Sequence, residues 1–115
     1  MKTNIDYDLE NDILYIYSGD SHVDFSIDYD DIILDVSGNK IVGVEILDAS
    51  EKFAKDEKEL EILKKAMDSI KEAYLKVDYR INSIRVKISF VSSVPETEQN
   101  LLIQVPIKRE LMLET

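Results

Sequence analysis

The chain has 115 residues, the size of one globular domain that can fold without a disulfide or a structural metal, and we treat residues 1–115 as a single domain. Its 24 acidic and 14 basic residues leave a formal net charge of −10, which argues against nucleic acid as a partner because such binding depends on Lys and Arg. With no cysteine, disulfides, thiolate catalysis and cysteine-containing metal sites are excluded. No apolar run is long enough for a membrane span or a signal peptide, so we expect a cytoplasmic protein with no membrane partner.

Residues 1–50 have the pattern of an antiparallel β-meander. Short apolar stretches alternate with turns rich in Asp, Asn, Gly and Ser, and the spacing of about ten residues leaves no room for parallel crossovers. Ser37-Gly38-Asn39-Lys40 is a hairpin signal between two of these stretches. The predicted strands cover residues 5–7, 13–17, 22–27, 32–36 and 41–47.

Residues 56–77 have the spacing of one long amphipathic helix. Large apolar residues recur at intervals of three and four, which is the repeat of a single helical stripe. The stripe consists of Leu60, Leu63, Met67, Ile70, Tyr74 and Val77. We expect this helix to lie across a sheet and to bury Leu63, Met67, Ile70 and Tyr74, or else to pair with its own copy in a dimer.

Residues 80–111 predict a C-terminal β-hairpin that joins the N-terminal sheet. Residues 84–90 and 101–108 alternate between apolar and polar side chains, as strands with one wet face do, and a polar loop at 92–100 connects them. Pro106 has no N–H to donate to a ladder, so the last strand is expected at a sheet edge. The predicted fold class is therefore α+β: a meander, one long helix and a hairpin.

The segment from about residue 3 to residue 52 resembles the prokaryotic family called domain of unknown function 2283. The resemblance rests on Tyr7-Asp8, on residues 12–16 and 32–35, and on the stretch at 41–50 that ends in Ala49-Ser50. It implies a small cytoplasmic prokaryotic domain without an established activity. Some members look like one half of a two-gene, toxin–antitoxin-like pair, which implies a binding role.

No catalytic, cofactor or metal site is predicted. Asp6, Asp8, Glu10 and Asp12 resemble the opening of a calcium loop, but a loop begun at Asp6 has no glycine at its sharp turn and no glutamate at its end. A solvated acidic turn is the interpretation we favour over weak binding of a divalent ion. The single histidine, His22, rules out a two-histidine metal site within one chain.

Strand parity predicts two unlike faces for the N-terminal sheet. One face is aliphatic and forms the core, and it holds Leu14, Ile16, Ile32, Leu34, Val36, Val42, Val44 and Ile46. The other holds Ile13 and Gly43 together with the candidate binding residues Tyr15, Tyr17, Ile33, Asp35 and Glu45. Because tyrosines are enriched at interfaces, this second face is either a contact surface, a small-molecule or metal site, or an ordinary half-wet sheet face.

The sequence favours a non-catalytic binding module over an enzyme. Its partner is expected to be its own copy, in a homodimer formed through the tyrosines or through the helix, or a basic protein. The alternative is a small enzyme or ligand-binding protein that uses Asp35, Glu45 and the tyrosines, with or without a divalent ion.

Overall fold

The computed structural model describes residues 3–19 and 22–106, which form two antiparallel sheets and short helices. The first five strands are β1 (Asn4–Asp8), β2 (Ile13–Tyr17), β3 (Phe25–Tyr29), β4 (Ile32–Ser37) and β5 (Lys40–Ile46). Two α-helices follow, α1 (Ala49–Phe53) and α2 (Leu60–Met67), the second preceded by a 3-10 turn (Glu57–Glu59). The last three strands are β6 (Ile70–Tyr79), β7 (Ser83–Ser93) and β8 (Glu96–Pro106).

The first sheet has the order β1-β2-β5-β4-β3, with every neighbouring pair antiparallel. Its tight turns depend on residues that accept a left-handed backbone, namely Asp12 (φ 56°), Asp30 (φ 54°) and Gly38 (φ 62°). Glycine, Asp and Asn enter this region at the lowest cost, which is why these turns form at these positions. The predicted N-terminal antiparallel sheet is confirmed, but the prediction of a meander was wrong, because β2 pairs with β5 and not with β3.

A β-bulge in the β4–β5 pair changes one predicted core residue. Asp35 pairs with Gly43, whereas Val36 pairs with Ile41, so Val42 is an extra residue in β5. An inserted residue reverses the alternation of side chains beyond it. Ile41 is therefore buried in place of Val42, and the prediction of Val42 as a core residue was wrong.

The prediction of one long helix over residues 56–77 was wrong. Helix α2 ends at Met67, after eight residues, and residues 70–79 form strand β6. Leu63 and Met67 are buried as expected, but Tyr74 is 38% exposed and Ile70 only partly buried. The first half of the apolar stripe is helical, and the second half belongs to a strand.

Ser69 stabilises the point where the helix stops. Its hydroxyl lies 3.1 Å from the carbonyl of Lys65 and 3.2 Å from that of Ala66, at the helix C-terminus. The same oxygen accepts the N–H of Val94, and the Ser69 carbonyl accepts the N–H of Ser93. Side-chain bonds of this kind satisfy carbonyls that the last helical turn leaves unpaired, so the chain can leave the helix here.

The C-terminal hairpin does not join the first sheet, which corrects the second fold prediction. β7 and β8 form a separate three-stranded sheet with β6, in the order β6-β7-β8. The strands reach to the turn at Val94 and Pro95, so the predicted polar loop at 92–100 is largely strand. Pro106 lies on β8, an edge strand of this sheet, as predicted, and residues 107–111 of the predicted hairpin lie outside the described residues.

One hydrophobic cluster connects the two sheets and the helices. Phe53 of α1 packs edge-to-face on Phe90 of β7, with ring centroids 5.1 Å apart. At the other end of the cluster the N–H of Ile41 donates to the Tyr79 hydroxyl over 2.8 Å. Phe90 and the inward residues of β2, β4 and β5 are almost completely buried, so the core lies between the sheets. Within residues 3–19 and 22–106, no helix is both long and apolar enough to cross a bilayer.

Candidate functional site

The five candidate binding residues lie in two adjacent rows that cross all five strands of the first sheet. In one row, Tyr15 pairs with Glu45 and Glu45 with Ile33; in the next, Tyr17 pairs with Gly43 and Gly43 with Asp35. The ends of the rows add Asn4 and Asp6 from β1 and Ser26 and Asp28 from β3. We call these ten residues the tyrosine face: Asn4, Asp6, Tyr15, Tyr17, Ser26, Asp28, Ile33, Asp35, Gly43 and Glu45.

A hydrogen bond between Tyr15 and Asp35 crosses the middle of the tyrosine face. The Tyr15 hydroxyl donates to Oδ2 of Asp35 over 2.7 Å, across strand β5. Gly43 lies beneath this bond, and a Cβ there would come within 3.0 Å of the Tyr15 hydroxyl and 3.1 Å of Asp35 Oδ2. Glycine is thus required for the close approach of the Tyr15 and Asp35 side chains.

Asp35 is held from two sides. Its second oxygen, Oδ1, accepts a hydrogen bond of 2.8 Å from the hydroxyl of Ser26. Burial, followed by the hydrogen bond to Asp35 and the charges of Asp35 and Glu45, raises the pKa of Tyr15 to about 12. Tyr15 therefore stays protonated at neutral pH and acts as a hydrogen-bond donor rather than as a base.

The two tyrosines form a stacked pair. Their ring centroids lie 4.8 Å apart, with an angle of 19° between the ring planes. The Tyr17 hydroxyl is 3.4 Å from Oδ2 of Asp6, so this second tyrosine also faces a carboxylate. On this one face, side-chain contacts therefore run from Asp6 on the edge strand β1, through both tyrosine rings and Asp35, to Ser26 on the other edge strand, β3.

The tyrosine face is acidic and has no basic side chain among its ten residues. Its carboxylates are Asp6, Asp28, Asp35 and Glu45. Asp35 and Glu45 do not face each other in the register, because Asp35 pairs with Gly43 and Glu45 with Ile33. No group of three or more potential metal ligands occurs among the residues that the structure describes.

The predicted acidic turn at residues 6–12 is a structural junction. Asp12 accepts hydrogen bonds from the Tyr7 hydroxyl (2.6 Å), the Ser50 hydroxyl (2.6 Å) and the Ser50 N–H (3.0 Å). Its carbonyl accepts the N–H of Ala49, so the β1–β2 turn is bonded to the start of α1. Burial and the hydrogen bond to Asp12 raise the pKa of Tyr7 above its usual range.

Asp8 takes no part in that junction. It accepts hydrogen bonds from the side chain and the N–H of Asn11, which lower its pKa. Asp8 and Asp12 therefore have separate partners within the fold, and they do not form the opening of a calcium loop. The exposed His22 lies 3.6 Å from Asp24, away from both groups.

Sequence reasoning missed four members of the tyrosine face: Asn4, Asp6, Ser26 and Asp28. The predicted meander implies the pairing of β1 with β2 and of β3 with β4, but the predicted strands, 5–7 and 22–27, leave out Asn4 and Asp28. Strand parity alone places a residue on a face only after its neighbour in the sheet is known. Continuing the alternation outward from Tyr15 and Asp35 to these hairpin partners would have found all four.

Known proteins resemble the part of the chain that contains the tyrosine face. A family described as "Protein of unknown function (DUF2283)" matches residues 4–50, in agreement with the resemblance inferred from the sequence, and the C-terminal half is not covered. An uncharacterised protein of Methanocaldococcus jannaschii is 44% identical over 61 residues, 52% of this chain and 53% of that protein. A Methanosarcina mazei protein named "Putative hypoxanthine phosphoribosyltransferase" is 46% identical over 52 residues, 44% of this chain and 42% of that one.

The chain spans about half the length of these curated relatives, and no solved structure matches it. Residues 4–50 contain all five strands of the first sheet, the complete tyrosine face and the Tyr7–Asp12–Ser50 junction. The stretches on which the resemblance rests, Tyr7-Asp8 and Ala49-Ser50, are thus brought together by that junction. The match supports a small prokaryotic protein of uncharacterised function.

Proposed function

We propose that this chain is a non-catalytic protein-binding module whose tyrosine face takes a basic surface of a partner protein. The observation that carries the proposal is the composition of the two rows: four carboxylates, two stacked tyrosines and no basic residue. Lys and Arg side chains form charge-assisted hydrogen bonds with carboxylates and also stack on tyrosine rings. A basic protein surface therefore matches both kinds of group.

The hydrogen bonds within the face support binding because they hold its side chains in place beforehand. Tyr15 is fixed by Asp35 and by the stacked ring of Tyr17, and Asp35 is fixed by Ser26. A partner would then restrict fewer side chains on association, which is a large part of the cost of forming an interface. The same carboxylates repel phosphates, so a nucleic acid is disfavoured.

A basic partner suits this face better than a second copy of the chain. A symmetric dimer through the tyrosine face would bring carboxylates from both copies together, and like charges in close contact are unfavourable. The helical route to a dimer loses its basis, because α2 has eight residues and buries Leu63 and Met67 in the core. A small basic protein encoded beside this one, as the family resemblance implies, is one form that the partner would take.

Selection from a random peptide display library, with the full chain immobilised, tests the proposal. We expect the retained peptides to be enriched in Lys and Arg. Their affinity should fall at least about tenfold in an Asp28→Asn, Glu45→Gln variant, because this variant removes two negative charges from the tyrosine face. Neither substitution changes a partner of the Tyr15–Asp35 hydrogen bond. A Glu96→Gln, Glu98→Gln variant on β8 makes the same change of net charge on the other sheet and should bind within about twofold of the parent.

Two results would contradict the proposal. The first is a selection that yields no enrichment in basic residues. The second is equal weakening by the two variants, since this would mean that the overall charge of −10, and not the tyrosine face, attracts the peptides.

A further inference from the structure

A recess of about 350 Å³ lies where the start of β5 meets the end of β6. It is lined by Lys40, Ile41, Leu75, Lys76, Val77 and Tyr79. Ile41 and Leu75 are almost completely buried and give it an apolar floor, and the hydrogen bond from Ile41 to the Tyr79 hydroxyl fixes one end. Its volume is at the lower end of the range found for small-molecule sites.

Backbone donors of β6 open onto this recess. β6 is an edge strand, and the Ala73 carbonyl accepts the N–H of Thr3 on the side away from β7. In an antiparallel ladder, alternate residues direct both backbone groups to the same side. The N–H and C=O groups of Leu75 and Val77 therefore point to the same open side as those of Ala73, where no described strand pairs with them, and the N–H groups are the donors available there.

The charge around the recess is the reverse of that of the whole chain. Its lining within residues 3–19 and 22–106 includes two lysines and no carboxylate, although acidic residues outnumber basic ones by 24 to 14 in the whole sequence. Lys40 and Lys76 form no ion pair with any residue in the described ranges 3–19 and 22–106. An anion is therefore the ligand that these cations and the backbone donors would favour.

We infer that this recess binds a small carboxylic acid with an apolar body. The carboxylate accepts hydrogen bonds from Lys40, Lys76 and the backbone N–H groups at the β6 edge, and the apolar body packs on the partly exposed side chains of Val77 and Tyr79. None of the six residues that line the recess belongs to the tyrosine face, and the inference does not depend on the function proposed for that face. Lys76 lies on the edge strand β6, where a lysine also discourages edge-to-edge pairing, so the experiment has to separate ligand binding from that role.

A titration of the isotope-labelled full chain with sodium octanoate, followed by amide NMR, provides the test. We expect saturable shifts at the amides of Leu75 and Val77, with an apparent Kd below about 1 mM. Octanamide, which has the same apolar body without the charge, should bind at least about tenfold more weakly. A Lys40→Gln, Lys76→Gln variant should weaken octanoate binding by a similar factor.

A Lys58→Gln, Lys65→Gln variant is the matched control, because it makes the same change of net charge away from the recess and should bind octanoate within about twofold of the parent. The inference is overturned if the Leu75 and Val77 amides show no saturable shift. It is also overturned if octanamide binds as well as octanoate, or if loss of Lys40 and Lys76 leaves the affinity unchanged. In that last case Lys76 only protects the edge of β6.

Discussion

The two sheets differ in how their outer faces are built. The five-stranded sheet has strands of five to seven residues, and its outer face combines acidic groups and tyrosines in one hydrogen-bonded set. The three-stranded sheet has strands of ten and eleven residues, and its outer face mixes charges of both signs, as in the Asp78–Arg85 pair. A face with one sign of charge and ordered side chains is selective for a partner, whereas a mixed face is typical of ordinary protein surface. The contrast locates the proposed binding function on the first sheet.

The largest effect on the free energy of unfolding is expected from a substitution on the buried side of β6, in the second sheet. Replacing Leu75 by Asp places an unpaired charge where the parent side chain is 2% exposed, and we expect the free energy of unfolding to fall by about 4 kcal/mol or more. Replacing Tyr74 by Asp should cost less than about 1 kcal/mol, because Tyr74 lies on the exposed face. Urea unfolding of both variants measures the difference, and the opposite order would mean that residues 70–79 are not the strand described above.

The next largest effect concerns the junction of the first sheet with α1. Asp12→Ala removes the acceptor of the Tyr7 and Ser50 hydroxyls and a residue suited to a positive φ, so we expect a loss of about 2–3 kcal/mol in unfolding free energy. The matched change Asp8→Ala removes only exposed hydrogen bonds to Asn11 and should cost less than about 1 kcal/mol. Equal costs for the two variants, measured by chemical denaturation, would argue against Asp12 as the stabilising residue.

A smaller effect is expected at the centre of the tyrosine face. Gly43→Ala places a methyl group about 3.0 Å from the Tyr15 hydroxyl, so the Tyr15–Asp35 bond must shift, at a cost of about 1 kcal/mol. A double-mutant cycle with Tyr15→Phe measures the coupling between the two positions. The costs of the two changes should not add, because both act on the same hydrogen bond. Strict additivity would show that Gly43 does not make room for that bond.

The smallest effect is a dependence of stability on alkaline pH. The folded-state pKa of Tyr15 is raised to about 12, above the value of about 10 for an unperturbed tyrosine. The stabilisation from this tyrosine is therefore fully present below about pH 10 and is lost as the pH rises through 12. A Tyr15→Phe variant should lose less stability than the parent over that interval, as measured by unfolding at fixed pH values.

Asp35→Asn provides an independent check on the same tyrosine. It keeps the size of the side chain and removes the charge that contributes to the raised pKa of Tyr15. An ultraviolet titration should then show one tyrosine ionising closer to pH 10 than in the parent. An unchanged titration would mean that burial alone raises the pKa of Tyr15.

Most of the first sheet could be read from the sequence because its signals are local. Turn residues such as Gly38 act within a few positions, and alternation assigns each side chain to a face. Parity placed Tyr15, Tyr17, Ile33, Asp35 and Glu45 on one face, and the structure has them there. Two exceptions depend on partner strands: the bulge that exchanges Val42 for Ile41, and the strand order, in which β2 pairs with β5 and not with β3.

The second sheet shows why local pattern was not enough there. Leu60, Leu63 and Met67 have a helical spacing that continues through Ile70, Tyr74 and Val77. Ala73, Leu75 and Val77 also alternate as a strand does. Residues 70–79 fit either pattern when they are considered alone. Pairing with β7 along the whole strand buries Ala73 and Leu75 and leaves Tyr74 outside, so the neighbouring strand selects the β form.

By itself, the sequence determined the class of the protein, the turns and faces of the first sheet, and the acidic, cysteine-free character that limits its chemistry. Only the tertiary structure decided where α2 ends, that β6 to β8 form a sheet of their own, and that a recess lies between Lys40 and Lys76. The physical reason is the range of the interactions involved. A turn depends on a few consecutive residues, whereas strand pairing and the contact between two sheets join residues far apart in the chain, whose combined burial outweighs local preference.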